Sequence, residues 1–549
     1  MVNVLDNPFY YLDNFQRVLD WIATRYDDLL VDEERRFIAT FGDVPRPARA
    51  LFVRMVMRKG TLFRASKLNY AEIGCTLDAA QQLLPTGWIV NDPELSLDAL
   101  FELLSKPELA TVFGLSQHQK GARKAEQLAA LRADFTDQRH FSSWFRDAPD
   151  ALFEIVVKPL CDRLRLIFFG NLRQDWTEFV LSELGTYRYE AVDFSPSSRG
   201  FRQRSDVEHY LELHRCRERV DAGEAPAGVL RDLPAAKNDN AWLASRRERL
   251  LFQIGQQFEK RQAWSEAHQV YARCTLPGAR ARAIRMLEKD ARFDAALALL
   301  ELAQAAPENE AESMQLQRMA PRLLRRSGRA SRPAAPQPPQ HRFELVLPLP
   351  QHDWWVEGVV RDHLARADAP VHYVENALIN GLFGLLCWDA VFAAVPGAFF
   401  HPFHHGPADL HSADFVVRRA GAFGRRLAEL DSDTYRATIL HNFHAKWGVQ
   451  SPFLAWDALG EALVGQALDC IPAAHLKKWF ERILQDIKGN RSGFPDLIQF
   501  WPAERRYQMI EVKGPGDRLQ DSQLRWIAFC AEQGMPVSVC YLQWETAPA

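Results

Sequence analysis

No C-x-x-C pair occurs anywhere in the 549 residues, and the eight cysteines (75, 161, 216, 274, 387, 470, 530 and 540) are scattered. That spacing argues against a zinc module or a disulfide framework and for reduced thiols in a cytosolic protein. An excess of either charge is lacking too. With 67 basic against 70 acidic residues the formal charge is -3, so bulk charge gives no sign of nucleic acid, and a polyanion-binding face has to be local. The opening Met-Val-Asn-Val-Leu-Asp-Asn-Pro has neither a basic region nor an apolar core, so no secretory signal is expected. The nearest approach to a membrane span, Leu378 to Phe400, is interrupted by Asp389 and Pro396 and loosened by Gly381 and Gly384. A buried helix running into a loop is expected there, and no membrane partner. What remains is an ordinary globular composition, 47% hydrophobic and 25% charged, at a length that suits about three or four domains.

The chemistry gathers near the C-terminus. Leu497 to Trp501 is apolar and aromatic, Pro502 to Arg506 is polar and turn-like, and Tyr507 to Val512 is strand-like again, which predicts a β-hairpin. Asp496 heads the first strand, and Glu511 and Lys513 close the second. Residues two apart leave the same face of a strand, so folding the hairpin back brings two carboxylates and a lysine to one point on a sheet edge. Hard oxygen ligands select Mg²⁺ or Mn²⁺, and an ammonium beside them holds an attacking water or offsets phosphate charge. The pattern predicts metal-assisted phosphodiester hydrolysis. A helix carrying Leu519, Gln523, Trp526, Ile527 and Cys530 follows, and Pro536 to Leu542 reads as one more buried strand.

These segments resemble a known family. Gly-Phe-Pro-Asp-Leu (493–497), Glu-Val-Lys-Gly-Pro-Gly-Asp-Arg-Leu (511–519) and Gln-Leu-Arg-Trp (523–526) are similar to the VRR-NUC branch of the PD-(D/E)xK nucleases. Upstream, Glu375 followed by Gly384-Leu385-Leu386-Cys387-Trp388-Asp389, and the stretch 408–419 around Asp409 and Arg419, resemble the nuclease domain of the Fanconi-associated nuclease family. That resemblance implies that Glu375, Asp496, Glu511 and the main-chain carbonyl of Val512 hold metal, with two Mn²⁺ or Mg²⁺ ions expected. It assigns Lys513 as the catalytic lysine, with Gln523 in support. It further implies cutting near a 5′ flap in interstrand cross-link repair, together with 5′–3′ exonuclease activity. The substrate partner is then branched DNA, bound by a monomer. The compartment is the bacterial cytoplasm if the source is bacterial, and the nucleus otherwise. The alternatives are a Holliday-junction resolvase-like or restriction-like nuclease, and a non-catalytic DNA-junction scaffold.

The expected fold class is multidomain, mainly α in the N-terminal and middle regions, with a C-terminal α/β nuclease domain. Residues 1–95 read as a helical DNA-binding region, in which Arg49 to Lys59 forms a basic helix carrying Arg54 and Arg58. Residues 96–235 contain a helix over 104–115, then Lys120, Arg123 and Lys124 beside the next helix start. A helix N-terminus flanked by cations suits a phosphate, and the arrangement resembles a SAP module; an exposed basic loop between packed helices is the alternative. Apolar runs over 153–160, 164–169 and 176–181 follow, then an arginine cluster from Arg199 to Arg219 that suits either DNA or a helix laced by its own ion pairs. Within 240–330, Ala263–Tyr271 lines up with Arg292–Leu300, 29 residues on, close to a tetratricopeptide-type period. The proline-rich stretch 331–340 is an expected linker, and 341–549 the nuclease domain. His401, His404, His405 and His411 form a histidine group, but Pro402, Gly406 and Pro407 make the run loop-like, and it is read as structural.

Overall fold

The computed structural model describes residues 7–115, 121–175, 187–194, 198–236, 239–330, 341–350 and 354–545. Lys120, the apolar run 176–181 and the expected linker 331–340 lie outside the described residues. The chain divides into two compact units, residues 1–187 with 201–207, and residues 188–200 with 208–549.

The first unit opens with helices Tyr10–Tyr26, Asp32–Phe41 and Arg46–Val56. Acids in the first turn of the second (Asp32, Glu33, Glu34) complement its dipole. Phe15, Phe37, Phe41, Phe52 and Trp88 interlock at its centre, with ring centroids 4.7 to 6.4 Å apart. The basic helix ends earlier than expected, at Val56, so Arg58 and Lys59 stand in the turn beyond it. Helices Leu97–Leu103, Lys106–Val112 and Lys124–Leu131 follow. Ser105 starts the second of these, its backbone N–H donating to Glu108 Oε2 at 2.7 Å, the reciprocal half of a capping box. The first compact unit runs across the expected boundary near residue 95. Strand Leu152–Ile155 lies between Leu62–Arg64 and Ile89–Asn91 in one antiparallel sheet. Only long-range pairing makes that sheet, and no local signal announces it.

In the second unit, helices Ala241–Lys260, Trp264–Arg273, Ala279–Lys289, Phe293–Ala305 and Glu310–Arg326 stack in chain order. The two members of the 29-residue repeat occupy equivalent helices of successive hairpins. Bidentate Arg482–Glu310 and Arg318–Asp521 pairs join this stack to the nuclease region.

The nuclease region is built on a five-stranded mixed sheet in the order 342–347, 537–544, 506–513, 497–501, 371–373. Strand 537–544 runs parallel to both neighbours, and 497–501 antiparallel to both of its own. Helix Asp521–Glu532 makes the crossover that a parallel pair requires. The hairpin is therefore not at the edge of the sheet, as its sequence suggested, but inside it, with residues from far upstream and downstream on either flank. Helices cover both faces, which explains the near-continuous apolar runs. Ile498, Phe500 and Met509 join the large cluster under Trp479, Phe480 and Trp526; Leu497, Ile510 and Val512 join the opposite cluster with Val360 and Leu542. The apolar 378–400 segment becomes helix Leu378–Leu386 and a short helix Trp388–Val391, both contributing to this core, and then a partly exposed loop from which Ala398 and Phe399 turn back into it. Among the described residues no helix is long and apolar enough to cross a membrane.

The nuclease region extends beyond residues 341–549. Lys446 Nζ meets the Glu190 carboxylate at 2.7 and 2.8 Å, Trp388 Nε1 donates to the same group at 2.9 Å, and Val192 and Phe194 pack on the core. Residues 188–194 thus belong to this body, although the whole helical stack intervenes in sequence.

Candidate active site

Strand register decides which side chains meet. Leu497 pairs with Ile510, so the next cross-strand neighbours are Asp496 and Glu511, on the face opposite Leu497 and Ile510. Lys513 follows two residues later on that same face. All three are buried. Lys513 Nζ sits 2.7 Å from Glu511 Oε1, and the Val512 backbone N–H donates to Asp496 Oδ2 at 2.9 Å.

Apart from the Lys513 ion pair, both Glu511 oxygens are buried without a hydrogen-bond donor. Burial pushes the Glu511 carboxyl up to about 8, with the Asp496 charge adding to the shift. Burial likewise raises Asp496 to about 6, against the pull of the Val512 N–H and Lys513. Two acidic groups held in this way are short of positive charge, and an oxygen-preferring divalent cation would supply it. The donor set fits Mg²⁺ or Mn²⁺. Among the described residues no group of three or more His, Cys, Asp or Glu side chains forms a metal site as they stand. The Glu375 carboxylate is engaged elsewhere, its Oε2 accepting from the Tyr373 hydroxyl at 2.6 Å and its Oε1 from Asn376 Nδ2 at 3.0 Å.

Glu375 is nonetheless fixed beside Asp496 by its backbone. It stands in the turn three residues before helix Leu378–Leu386 rather than within it. Its φ of 25° is unusual for a residue with a side chain. The Val374 and Glu375 N–H groups both donate to the Asp496 carbonyl, at 2.9 and 3.0 Å, and so hold the strained turn. From the other side, Asn376 Oδ1 accepts the Gly493 N–H at 3.0 Å. Gly493 has φ 91°, and a Cβ there would lie 2.6 Å from the Ser522 backbone, so the Gly-Phe-Pro-Asp motif needs its glycine.

Glu357, in the first turn of helix Val356–Leu364, is a residue that sequence reasoning missed. Its charge acts on both Asp496 and Tyr373, and neighbouring Val356 lies against Gly514. A glutamate in a first helical turn reads as a dipole complement; only the packing of its helix against strand 506–513 brings its charge near this site. A cavity of about 600 Å³ opens beside Glu375, lined by Tyr373, His411, Phe453, Lys488 and Arg491 among others.

The remaining expected residues are dispersed. Gln523 caps its own helix, accepting the Gln520 N–H at 2.8 Å. Arg54 is half-buried and paired with Glu72 at 2.6 Å, its guanidinium 3.8 Å above the Tyr11 ring. Arg58 is exposed and borders a second cavity with Lys59, Arg64 and Lys67. Arg123 is exposed at the start of its helix, whereas the Lys124 ammonium donates to the Leu104 carbonyl at 2.7 Å. Arg204 and Arg219 of the arginine cluster pair with Glu34 and with Glu224 and Asp232. Asp409 takes hydrogen bonds from both Arg418 and Arg419, the latter fully enclosed. In the histidine loop, His401 and His404 stack with centroids 4.1 Å apart and accept the Phe403 and Phe400 N–H groups. Burial pushes His404 down to about 3.

Three family models match the chain: "FAN1, HTH domain" over residues 9–90, "Fanconi anemia-associated nuclease SAP domain" over 94–144, and "VRR-NUC domain" over 431–544. A Fanconi-associated nuclease 1 homolog of Pseudomonas aeruginosa is 54% identical, covering 98% of this chain and 97% of that protein. The human Fanconi-associated nuclease 1 is 22% identical across 97% of this chain but only 62% of its own length. The crystal structure of paFAN1 bound to 2nt 5′ flap DNA with gap superposes with a TM-score of 0.94 at 53% identity, covering all of both chains. A second, bound to 1nt 5′ flap DNA with gap, gives 0.92 at 53% identity over 98% of this chain.

Proposed function

The chain belongs to the Fanconi-associated nuclease family, DNA nucleases that hydrolyse phosphodiester bonds, and on that footing we propose that it cuts DNA near 5′ flaps with Mn²⁺ or Mg²⁺ at the Asp496–Glu511–Lys513 cluster. The observation that carries the proposal is the Glu511 carboxylate, buried with no donor beyond Lys513. The flap preference draws support from close relatives solved on 5′ flap DNA. A role in interstrand cross-link repair, 5′–3′ exonuclease activity, a monomeric state on DNA and a cytoplasmic location extend the same reading from the family.

Asp496, Glu511 and the Val512 carbonyl would hold the cation, with Glu375 completing the set once its side chain leaves Tyr373. Bound there, Mn²⁺ or Mg²⁺ supplies Lewis acidity and a lowered pKa for attacking water. Lys513, fixed by Glu511, keeps its ammonium over the same face and offsets charge that develops on the phosphate. Protonated, it has no lone pair for a metal, so its contribution is orientation and charge. Lys488 and Arg491 on the wall of the neighbouring cavity offer cations to the phosphates that follow. Arg123 and Arg58 are the better placed of the described N-terminal DNA-binding candidates.

The test is cleavage of an end-labelled 5′ flap in Mn²⁺ or Mg²⁺ against EDTA, beside plain duplex and a four-way junction. Flap cutting well above the other two, abolished by EDTA, is expected. Equal cutting of all three would remove the flap preference and favour a resolvase-like activity.

A further inference from the structure

The rim of the active site carries two aromatic side chains that the core does not use. Tyr373 ends the edge strand Val371–Tyr373 and is 41% exposed; Trp355 immediately precedes helix Val356–Leu364 and is 49% exposed. Their rings meet edge to face, with centroids 6.4 Å apart and planes at 82°. Trp354, the preceding residue, packs instead against Trp544 at 4.8 Å and anchors the segment. Gly358 gives Trp355 its seat, since a Cβ there would fall 2.8 Å from the indole. The Arg361 guanidinium lies 5.2 Å from the centre of the Trp355 ring.

The place of this corner gives it meaning. The Tyr373 hydroxyl is 2.6 Å from Glu375 Oε2, and Tyr373 feels the charges of Glu375, Asp496 and Glu357 together. Tyr373 also lines the cavity that holds Lys488 and Arg491. A strand whose scissile phosphate reaches the carboxylates therefore brings the base of an adjoining nucleotide to this corner. Every base has a π-face, and an exposed aromatic beside a cation is the platform that takes an unstacked one.

We propose that Trp355 and Tyr373 form a stacking corner for the unpaired nucleobase that flanks the scissile phosphate. Trp355 supplies the face, and Tyr373 closes the corner edge-on beside it. The proposal rests on the reading of the cluster as a phosphodiesterase site, and it makes Trp355 a positioning residue that touches DNA without touching the reacting atoms.

The experiment pairs a protein change with a substrate change in the full-length chain. Wild type, Trp355→Ala and Trp355→Phe are each given a 5′-flap substrate with normal bases and versions carrying one abasic site at successive positions around the cut. Affinity is read by fluorescence anisotropy in Ca²⁺, and single-turnover cleavage in Mn²⁺. Trp355→Ala is expected to weaken binding of the normal flap roughly tenfold, the loss typical when one stacking partner goes, while Trp355→Phe recovers most of it. At one position the abasic site should cost wild type a similar factor and cost Trp355→Ala nothing more. A fold that is merely damaged would instead give losses that multiply at every position. Abasic losses in Trp355→Ala equal to those in wild type at all positions would overturn the stacking corner, even with flap cleavage intact. Coupling in Ca²⁺ without cleavage in Mn²⁺ would keep the corner and overturn the phosphodiesterase reading.

Discussion

Replacing Glu511 with glutamine should stabilise the metal-free protein while abolishing its cleavage. The folded chain holds the Glu511 proton up to about 8, whereas the ordinary carboxyl value is 4.5. Between these values the folded state binds more protons than the unfolded one, so stability falls as pH rises through that window and the full penalty applies above it. At about 1.4 kcal/mol per pH unit the gap amounts to roughly 4–5 kcal/mol. Glutamine escapes this cost but leaves Lys513 without its carboxylate, which returns part of the gain. A net stabilisation of about 2–4 kcal/mol at pH 8.5 follows, or roughly 4–16 °C in the melting of a domain of about 200 residues. The assay is differential scanning calorimetry of the full chain in EDTA at about pH 5 and about pH 8.5, either side of the window, following the transition that Mn²⁺ shifts in wild type. The gain should be large at the higher pH, small at the lower, and reversed when Mn²⁺ stabilises wild type alone. A Glu511→Gln protein no more stable than wild type at the higher pH, or equally stabilised at both, would overturn this account of the buried carboxyl.

The other expectations concern separate parts of the molecule. Asp496→Ala should abolish both Mn²⁺ binding by calorimetry and cleavage, whereas Lys513→Ala should still bind Mn²⁺ and DNA yet lose about 10²–10³-fold in single-turnover rate; near-normal cleavage by the lysine variant would mean its role is misassigned. Changing Lys120 and Arg123 to alanine should lower the log–log salt slope of duplex binding by about 0.9 for each phosphate no longer neutralised, while Lys124→Ala, whose ammonium serves the Leu104 carbonyl, should lower thermal stability instead. Glu190→Gln should destabilise the nuclease region by about 1–3 kcal/mol, since it weakens the half-buried pair with Lys446 and the Trp388 hydrogen bond; an unchanged melting profile would show that residues 188–194 are dispensable to that body.

The hairpin, its turn and the meeting of Asp496, Glu511 and Lys513 were legible in the chain alone. Alternating and continuous apolar runs mark strands, and a spacing of two places Glu511 and Lys513 on one face, because the pleat repeats every second residue. The motifs around them were specific enough to name the family, and proline and glycine punctuation marked the loops. The rest required the folded molecule. Packing placed the hairpin inside the sheet rather than at its edge, since the flanking strands 371–373 and 537–544 pair across long sequence separations. It moved residues 188–194 into the nuclease region and put strand 152–155 between two strands of the N-terminal segment, pairings that no local propensity encodes. It also separated basic residues that carry charge at the surface from those already neutralised. Arg54 and Arg58 look alike in sequence, yet one is paired with Glu72 and the other faces solvent. Glu357 and Trp355 lie near the motif only because a helix start far from it in sequence is packed beside it, since proximity in a fold is set by the packing of distant elements and a single sequence carries no record of it.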